Sequence, residues 1–471
     1  MSKVVVSVLV FCVCSVLFTS PVSAGPVSVN PVSAGPVSLG VTSFNKALDH
    51  FIEVELAPKT QGYAIGVIVD GQVESMRVGG LREVGRDGAI NIDTVFRLAS
   101  VSKTFTPAIV AAHPELDYSE SVSANLPNLQ LSSKDYLHDL SLGHLLSQSS
   151  GLFPHAYTNL IQDNVPYERI VKQLNKVNFV CAPGKCYGYQ NVIYSLAGDV
   201  LAAKLGEPYE ALVSKSLLQP LGMTRSSLGR KNFLAEANRA SPHKWNKRAQ
   251  QWDVLAVEEN YYRIAPAAGV NSSLRDMMVW LRAQLGRFPK VMGSEALVQM
   301  HSRQVPTSRK LAHYKRAVWD GVSNMGYAYG WRTFDFTPIL ERSPGLGSEG
   351  VLGNTPSLDN APSLDGASVL SLTSNLDTTT TNTGSSNTGG EEGGVVVKKL
   401  AAGRESTQAS AYPMAGFVHH GGWVKGVRTE MVFNPELNMG MVYLSNAETS
   451  FASEIVPRVL RLYARHIVAS K

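Results

Sequence analysis

The chain has 471 residues, of which 44% are hydrophobic and 17% charged. That balance describes a globular protein and excludes a chain disordered throughout. The formal net charge is +5 with no long basic run, so no nucleic-acid partner is expected.

Residues 1–24 read as an export signal. Lys3 supplies the positive start, Val4 to Phe18 the apolar stretch, and Val22-Ser23-Ala24 the small-residue cleavage site. A fifteen-residue stretch is short for a bilayer span, though an uncleaved anchor is the alternative. Phe11 before Cys12 and Val13 before Cys14 are not the small residues a lipid-attachment site needs. The mature protein is therefore expected in a periplasmic or extracellular compartment, with no stable membrane span. Residues 25–42 follow as a Pro/Ser/Gly tether; a direct repeat, PVSAGPVSVN then PVSAGPVSLG, runs over residues 21–40 across this junction.

Next comes a hairpin signal: Gly62 to Val69, the turn Asp70-Gly71, then Gln72 to Val78. The middle of the chain is mostly helical, with segments at Leu142–Leu146, Val192–Leu205 and Leu274–Leu285. Cys181 and Cys186 are the cysteines left after signal removal. In an oxidising compartment they are a disulfide candidate across Ala182-Pro183-Gly184-Lys185; two free thiols are the alternative. Without a neighbouring His pair they do not suggest a zinc site, and no metal is expected.

Residues 337–411 contain no aromatic residue, His or Cys and include TTTTNTGSSNTGGEEGG. Such a segment buries too little apolar surface to offset its ordering entropy and reads as a disordered insertion or a long surface loop. Two further strands, Arg428 to Phe433 and Met439 to Ser445, flank Asn434–Asn438. Phe451 to Ile467 is a helix with Ile455, Val459, Leu460 and Tyr463 on one face. Strands at both ends with helices between predict an α+β fold: an antiparallel sheet built from both chain ends, flanked by helices, with a mainly helical region inserted. The folded domain would comprise 43–336 and 412–471.

Three short patterns carry chemistry. In Ser100-Val101-Ser102-Lys103, a helix starting at Ser100 places Lys103 one turn on, on the same face. A serine hydroxyl needs a neighbouring base, and a lysine removed from water becomes one as its pKa falls. Ser43…Lys46 and Ser241…Lys244 share the spacing, so context must choose. In Tyr189-Gln190-Asn191, an extended backbone turns the phenol and the amide to one side. Tyr157-Thr158-Asn159 has the same spacing, and a core tyrosine before an asparagine helix cap is the plainer alternative. His419-His420-Gly421-Gly422-Trp423, just before a strand, combines a histidine with glycines that admit close backbone approach.

In this order the three patterns resemble the class C β-lactamase family, which also holds penicillin-binding DD-peptidases, D-aminopeptidases and esterases. His144-Leu145-Leu146-Ser147-Gln148-Ser149-Ser150-Gly151-Leu152 and Gly269-Val270-Asn271-Ser272-Ser273 share the resemblance. It implies a serine hydrolase acting through an acyl-enzyme on an amide, ester or β-lactam carbonyl, with a small molecule or peptide as substrate and no cofactor. Ser100 would be the nucleophile, Lys103 its base and Tyr189 the second acid/base. Asn191, His420 and Gly422 would contact substrate. The backbone N–H groups of Ser100 and Trp423 would form the oxyanion hole.

The chain departs from the lactamase pattern in four places. His420 stands where true β-lactamases have the lysine of Lys-Thr-Gly, and a neutral imidazole holds a carboxylate less well. Gln190 stands where serine or alanine is commoner. The segment from Thr104 to Glu115 is about one helical turn shorter than usual, with Pro107 and Pro114 in or beside it. The 337–411 insertion enters just before the site strand. A non-hydrolysing penicillin- or peptide-binding sensor on the same fold is the alternative function.

Overall fold

The computed structural model describes residues 39–308, 314–340 and 410–469. The stretch read as an export signal, most of the stretch read as a tether and residues 341–409 lie outside the described residues. Helix α1 (Leu39–Phe51) begins inside the stretch read as tether. The reason is apolar spacing: Val41, Phe44, Leu48 and Phe51 are all buried on one side.

Strands β1 (Gly62–Val69) and β2 (Gln72–Gly80) form the expected hairpin. After it come α2 (Phe105–Ala112), α3 (Asn191–Leu205) and α4 (Leu274–Gln284). The sheet resumes with β3 (Val305–Pro306), β4 (Val322–Tyr327) and β5 (Arg332–Phe336). It ends with β6 (Met414–Val424), β7 (Val427–Asn434) and β8 (Met439–Ser445). Helix α5 (Ala452–Tyr463) closes the chain. The eight strands lie in the order β2-β1-β8-β7-β6-β5-β4-β3, every pair antiparallel. First and last strands thus meet at the β1–β8 seam, as expected for an α+β fold assembled from both ends.

Strand β1 shows why the sheet is buried on both faces. Ala64 and Ile68 join the core under the helical region. Ile65, Val67 and Val69 join the opposite core, beneath α1 and α5. Strand side chains alternate, so a doubly covered strand must be apolar almost throughout. Gly66 completes the first set, because a Cβ there would run into the Met278 thioether of α4. On α5, Ile455, Val459, Leu460 and Tyr463 are buried as the spacing predicts.

The ends of the insertion are ordered. The backbone of Ile339–Leu340 pairs antiparallel with Ser410–Ala411, forming a two-stranded stem. No helix among the described residues is long and apolar enough to cross a membrane.

Candidate active site

The Ser100–Lys103 pattern does not open an ordinary α-helix. Ala99–Thr104 forms a 3-10 turn that leads into α2. With three residues per turn, i and i+3 eclipse each other, so Lys103 stands directly above Ser100. Ala99 takes φ +48°, a left-handed value uncommon for alanine. It is held by flanking contacts: Leu98 N–H donates to Val270 O at 2.9 Å, and Leu98 O accepts from Thr429 Oγ1 at 2.8 Å. The Gly269–Ser273 pattern backs this turn, since Val270 N–H also donates to Ser102 Oγ at 3.0 Å.

Helix α2 is short, and its neighbours hold it. Phe105 stacks on Trp280 with ring centroids 4.0 Å apart, and Trp280 Nε1 donates to Thr104 Oγ1 at 3.1 Å. Tyr194 Oη donates to Lys103 O at 2.7 Å. Pro107 falls in the first turn of α2, where a missing N–H costs little.

Lys103 is fully buried. Its Nζ lies 2.7 Å from Asn191 Oδ1, 3.0 Å from Ala267 O and 3.4 Å from Ser100 Oγ. The first two oxygens only accept. A neutral amine spends its two hydrogens on them and turns its lone pair to the Ser100 hydroxyl. Burial, with the nearby Arg332 charge, pushes the Lys103 pKa well below the lysine range and so favours that neutral amine.

Tyr189 Oη donates to Ser100 Oγ at 3.1 Å from the other side. Burial raises its pKa, while the Ser100 hydrogen bond and Arg332 oppose the rise. The resting group is a phenol. Its segment is held from behind: Gly188 N–H donates to Gln148 O at 2.8 Å, Gln190 N–H to Gln148 Oε1 at 2.8 Å, and His155 N–H to Tyr189 O at 2.9 Å. The pattern from His144 to Leu152 is thus a scaffold for Tyr189. Cys181 and Cys186 are joined by a disulfide that closes the loop leading into this segment.

The cap of α3 is Gln190, whose Oε1 accepts from Val192 N at 2.7 Å and Ile193 N at 3.0 Å. That frees the Asn191 side chain to face the cleft and Lys103. The uncommon Gln190 therefore has a local job.

The His-Gly-Gly pattern lies within β6, not ahead of a strand. Gly422 lets β6 press against the nucleophile turn: a Cβ there would meet Leu98 O and Thr429 Oγ1, and would lie 3.2 Å from Ala99 Cβ. Strand β5 pairs with β6 only as far as His419, opposite Arg332. Across the hairpin loop Lys425-Gly426, Val424 and Val427 are partners. In a two-residue hairpin that flanking pair is the hydrogen-bonded one. Alternation then aims the Trp423 N–H away from β7, toward the open edge beside Ser100.

His420 is placed differently from the sequence expectation. It is buried and does not line the cleft. Its Nδ1 lies 2.8 Å from Gly421 O, so Nδ1 carries the hydrogen. Nε2, 3.0 Å from Tyr327 Oη, is left to accept from that phenol. Burial and the Arg332 and Lys103 charges push its pKa well below the histidine range. In this structure both imidazole nitrogens are engaged, by Gly421 O and Tyr327 Oη, and His420 is not among the residues that line the cleft.

The cleft itself encloses about 330 Å³. Ser100, Tyr189, Asn191, Gly422 and Trp423 line it, as expected from sequence. Tyr187, His155, Tyr261, Arg332, Arg428 and Glu430 also line it and carried no sequence signal. Tyr187, Arg428 and Glu430 flank the second and third patterns without belonging to them, and His155, Tyr261 and Arg332 lie farther along the chain.

A serine flanked by a buried lysine and a tyrosine, set between an antiparallel sheet and a helical region, is the arrangement of a serine hydrolase-type protein. The chain belongs to the Beta-lactamase family, whose profile matches residues 44–465. It is 27% identical over 237 residues to a D-aminopeptidase of Gluconobacter oxydans (strain 621H), covering 47% of this chain and 42% of that protein. It is 26% identical over 168 residues to Penicillin-binding protein 4 of Amycolatopsis lactamdurans, covering 35% and 44%. It is 23% identical over 299 residues to Protein flp of Staphylococcus aureus (strain NCTC 8325 / PS 47), covering 61% and 55%. The chain thus spans about half the length of these relatives. The fold matches that of an octameric penicillin-binding protein homologue from Pyrococcus abyssi, with a TM-score of 0.60 at 19% identity over 92% of this chain and 78% of that one.

Proposed function

We propose that the protein is an exported serine hydrolase that forms an acyl-enzyme on Ser100, taking an amide or ester carbonyl in preference to a β-lactam. The observation that carries this reading is the pair of contacts on Ser100 Oγ, 3.1 Å from Tyr189 Oη and 3.4 Å from Lys103 Nζ. Lys103 takes the hydroxyl proton as Ser100 Oγ bonds to the carbonyl carbon. The developing oxyanion meets the N–H groups of Ser100 and Trp423. The bond to the leaving atom then breaks, and that atom takes the Tyr189 phenolic proton. The proton held on Lys103 restores the phenol. Water next attacks the acyl carbon. Tyr189 accepts its proton while passing its own to Lys103, and Ser100 Oγ leaves with the proton from Lys103. Tyr189 acts as a relay because its raised pKa makes a resting phenolate costly.

The neutral His420, with both ring nitrogens engaged, is the reason β-lactams rank behind. Export is supported by the apolar stretch from Val4 to Phe18 and by a disulfide, which persists in oxidising compartments.

The test is intact-mass spectrometry after brief exposure to a fluorophosphonate and, separately, to a penicillin, with Ser100→Ala as control. A fluorophosphonate adduct lost in the variant is the expected result. A penicillin adduct lost in the variant would show penicillin recognition, and its decay would separate a β-lactamase, which clears it, from a peptidase or the non-hydrolysing sensor, which keeps it. No adduct from either reagent would overturn the catalytic reading.

A further inference from the structure

The chain has six tryptophans. Trp280, Trp319 and Trp331 are fully buried. The other three belong to two neighbouring hairpins. Trp423, 47% exposed, stands at the cleft rim, just before the turn Lys425-Gly426 that joins β6 to β7. Trp245, 38% exposed, and the half-buried Trp252 are partners across a second hairpin, His243–Asn246 with Gln251–Val254. His243 N–H donates to Gly426 O at 3.2 Å, and a Cβ at Gly426 would run into Pro242, so the two hairpins are joined side by side. The loop of the second hairpin presents Lys247 and Arg248, and the turn of the first presents Lys425, all exposed. None of the three forms an ion pair among the described residues. Lys244, by contrast, stands opposite Asp253 on one side and Glu448 on the other. Asn246 Oδ1 fixes the charged loop by accepting from Arg248 N and Ala249 N at 3.1 Å each.

One exposed indole needs no explanation, but three gathered beside three unpaired cations mark an interaction surface. Ring geometry selects the occupant. A sugar would stack on a flat ring with an open face. Trp245 and Trp252 instead meet edge to face, their planes 67° apart and their centroids 5.3 Å apart, and the Arg428 guanidinium lies over the Trp423 ring at 5.4 Å. Indoles with an apolar body and a polar N–H settle at the headgroup level of a bilayer, and neighbouring Lys and Arg side chains hold anionic headgroups. We propose that the two hairpins form a membrane-interface surface that seats the protein on a bilayer containing anionic phospholipid. Because Trp423 also lines the cleft, this sets the mouth of the cleft beside the headgroups.

The test titrates the full chain with vesicles of phosphatidylcholine mixed with phosphatidylglycerol, a fraction of the lipid carrying brominated acyl chains that quench tryptophan. Trp280, Trp319 and Trp331 are buried, so quenching reports the surface rings. The wild type should be quenched on mixed vesicles, less so on phosphatidylcholine alone, and less so as salt is added. Lys247→Gln combined with Arg248→Gln should raise the lipid concentration needed by about tenfold or more. Trp245→Ser should cut the depth of quenching, and the loop variant carries the test if Trp245→Ser does not fold. Residues 1–38 are common to every variant, so they do not produce these differences. No quenching of the wild type on mixed vesicles would overturn the proposal, as would quenching undiminished in both variants. So would binding to an insoluble polysaccharide such as chitin that is lost in Trp245→Ser while vesicles leave the rings unquenched, since that would assign the surface to sugars. The readout is binding and the altered residues lie outside the cleft, so the outcome does not depend on the chemistry at Ser100.

Discussion

Lys103 Nζ donates to Asn191 Oδ1 across 2.7 Å, tying the nucleophile turn to the first residue of α3. The pairing with a neutral amide matters. An amide oxygen accepts a hydrogen from the amine yet does not hold a proton there by charge, so burial can lower the Lys103 pKa unopposed. Asn191→Asp reverses this. A carboxylate at that distance stabilises the ammonium and blocks its lone pair. We expect kcat/KM near neutral pH to fall by about 10²-fold or more, the scale of a lost general base, with partial recovery as pH rises. A pH–rate profile checks it: the acid limb should move to higher pH, and an unmoved limb would exclude Lys103 as the base.

Tyr189→Phe should separate good from poor leaving groups. The phenol supplies a proton to the departing atom, and p-nitrophenolate hardly needs one. An alkyl ester or anilide should lose about 10²- to 10⁴-fold, while a p-nitrophenyl ester loses clearly less. Steady-state kinetics on matched substrates reads the difference. Equal losses would assign Tyr189 to deacylation or positioning alone.

The disulfide should act on both stability and activity. Cys181 and Cys186 enclose Gly184, whose N–H donates to Ser149 O at 2.7 Å, just before the Tyr189 segment. A loop this short confers about 2 kcal/mol in the chain-entropy description. Cys186→Ser, or reduction, should lower the melting temperature by several degrees. Because Tyr189 follows the loop directly, kcat should also fall while a neutral ester's KM stays close to its original value. Thermal melts and kinetics with and without reductant test both effects.

Much of this architecture was legible because the signals were local. The β1–β2 hairpin announces itself through Asp70-Gly71 between apolar runs, and α5 through its four-residue spacing. The three site patterns each hold their partners within a few residues. Arg332 was not legible for the opposite reason. It is one arginine at a strand start, and only the fold brings the tyrosines at 187, 189 and 327 around it. His420 was legible as a pattern but not in its surroundings, since sequence does not show that Tyr327 Oη and Gly421 O take up its two ring nitrogens. The short strands Val305–Pro306 and Val322–Tyr327 lack alternation strong enough to read, because they pair at the outer end of the sheet.

His301 makes a prediction about acid stability. It is half-buried at the end of a helix, its ring 5.0 Å from that of Phe433 and 5.9 Å from that of Trp331, with Nε2 3.0 Å from Gln284 Oε1. Burial pushes its pKa down to about 3, from an ordinary value of 6.5. Between those two values the unfolded chain holds a proton that the folded chain does not. Stability is therefore retained above pH 6.5 and lost as pH falls through the window toward 3, at up to about 1.4 kcal/mol per pH unit from this group alone. His301→Gln keeps a donor for Gln284 and removes the titration. Its melting temperature should fall less steeply than that of the wild type between pH 6.5 and 4, even if it starts lower from lost packing. Melts at half-unit intervals would show this, and parallel slopes would mean that the imidazole is reached by solvent and titrates as it does in the unfolded chain.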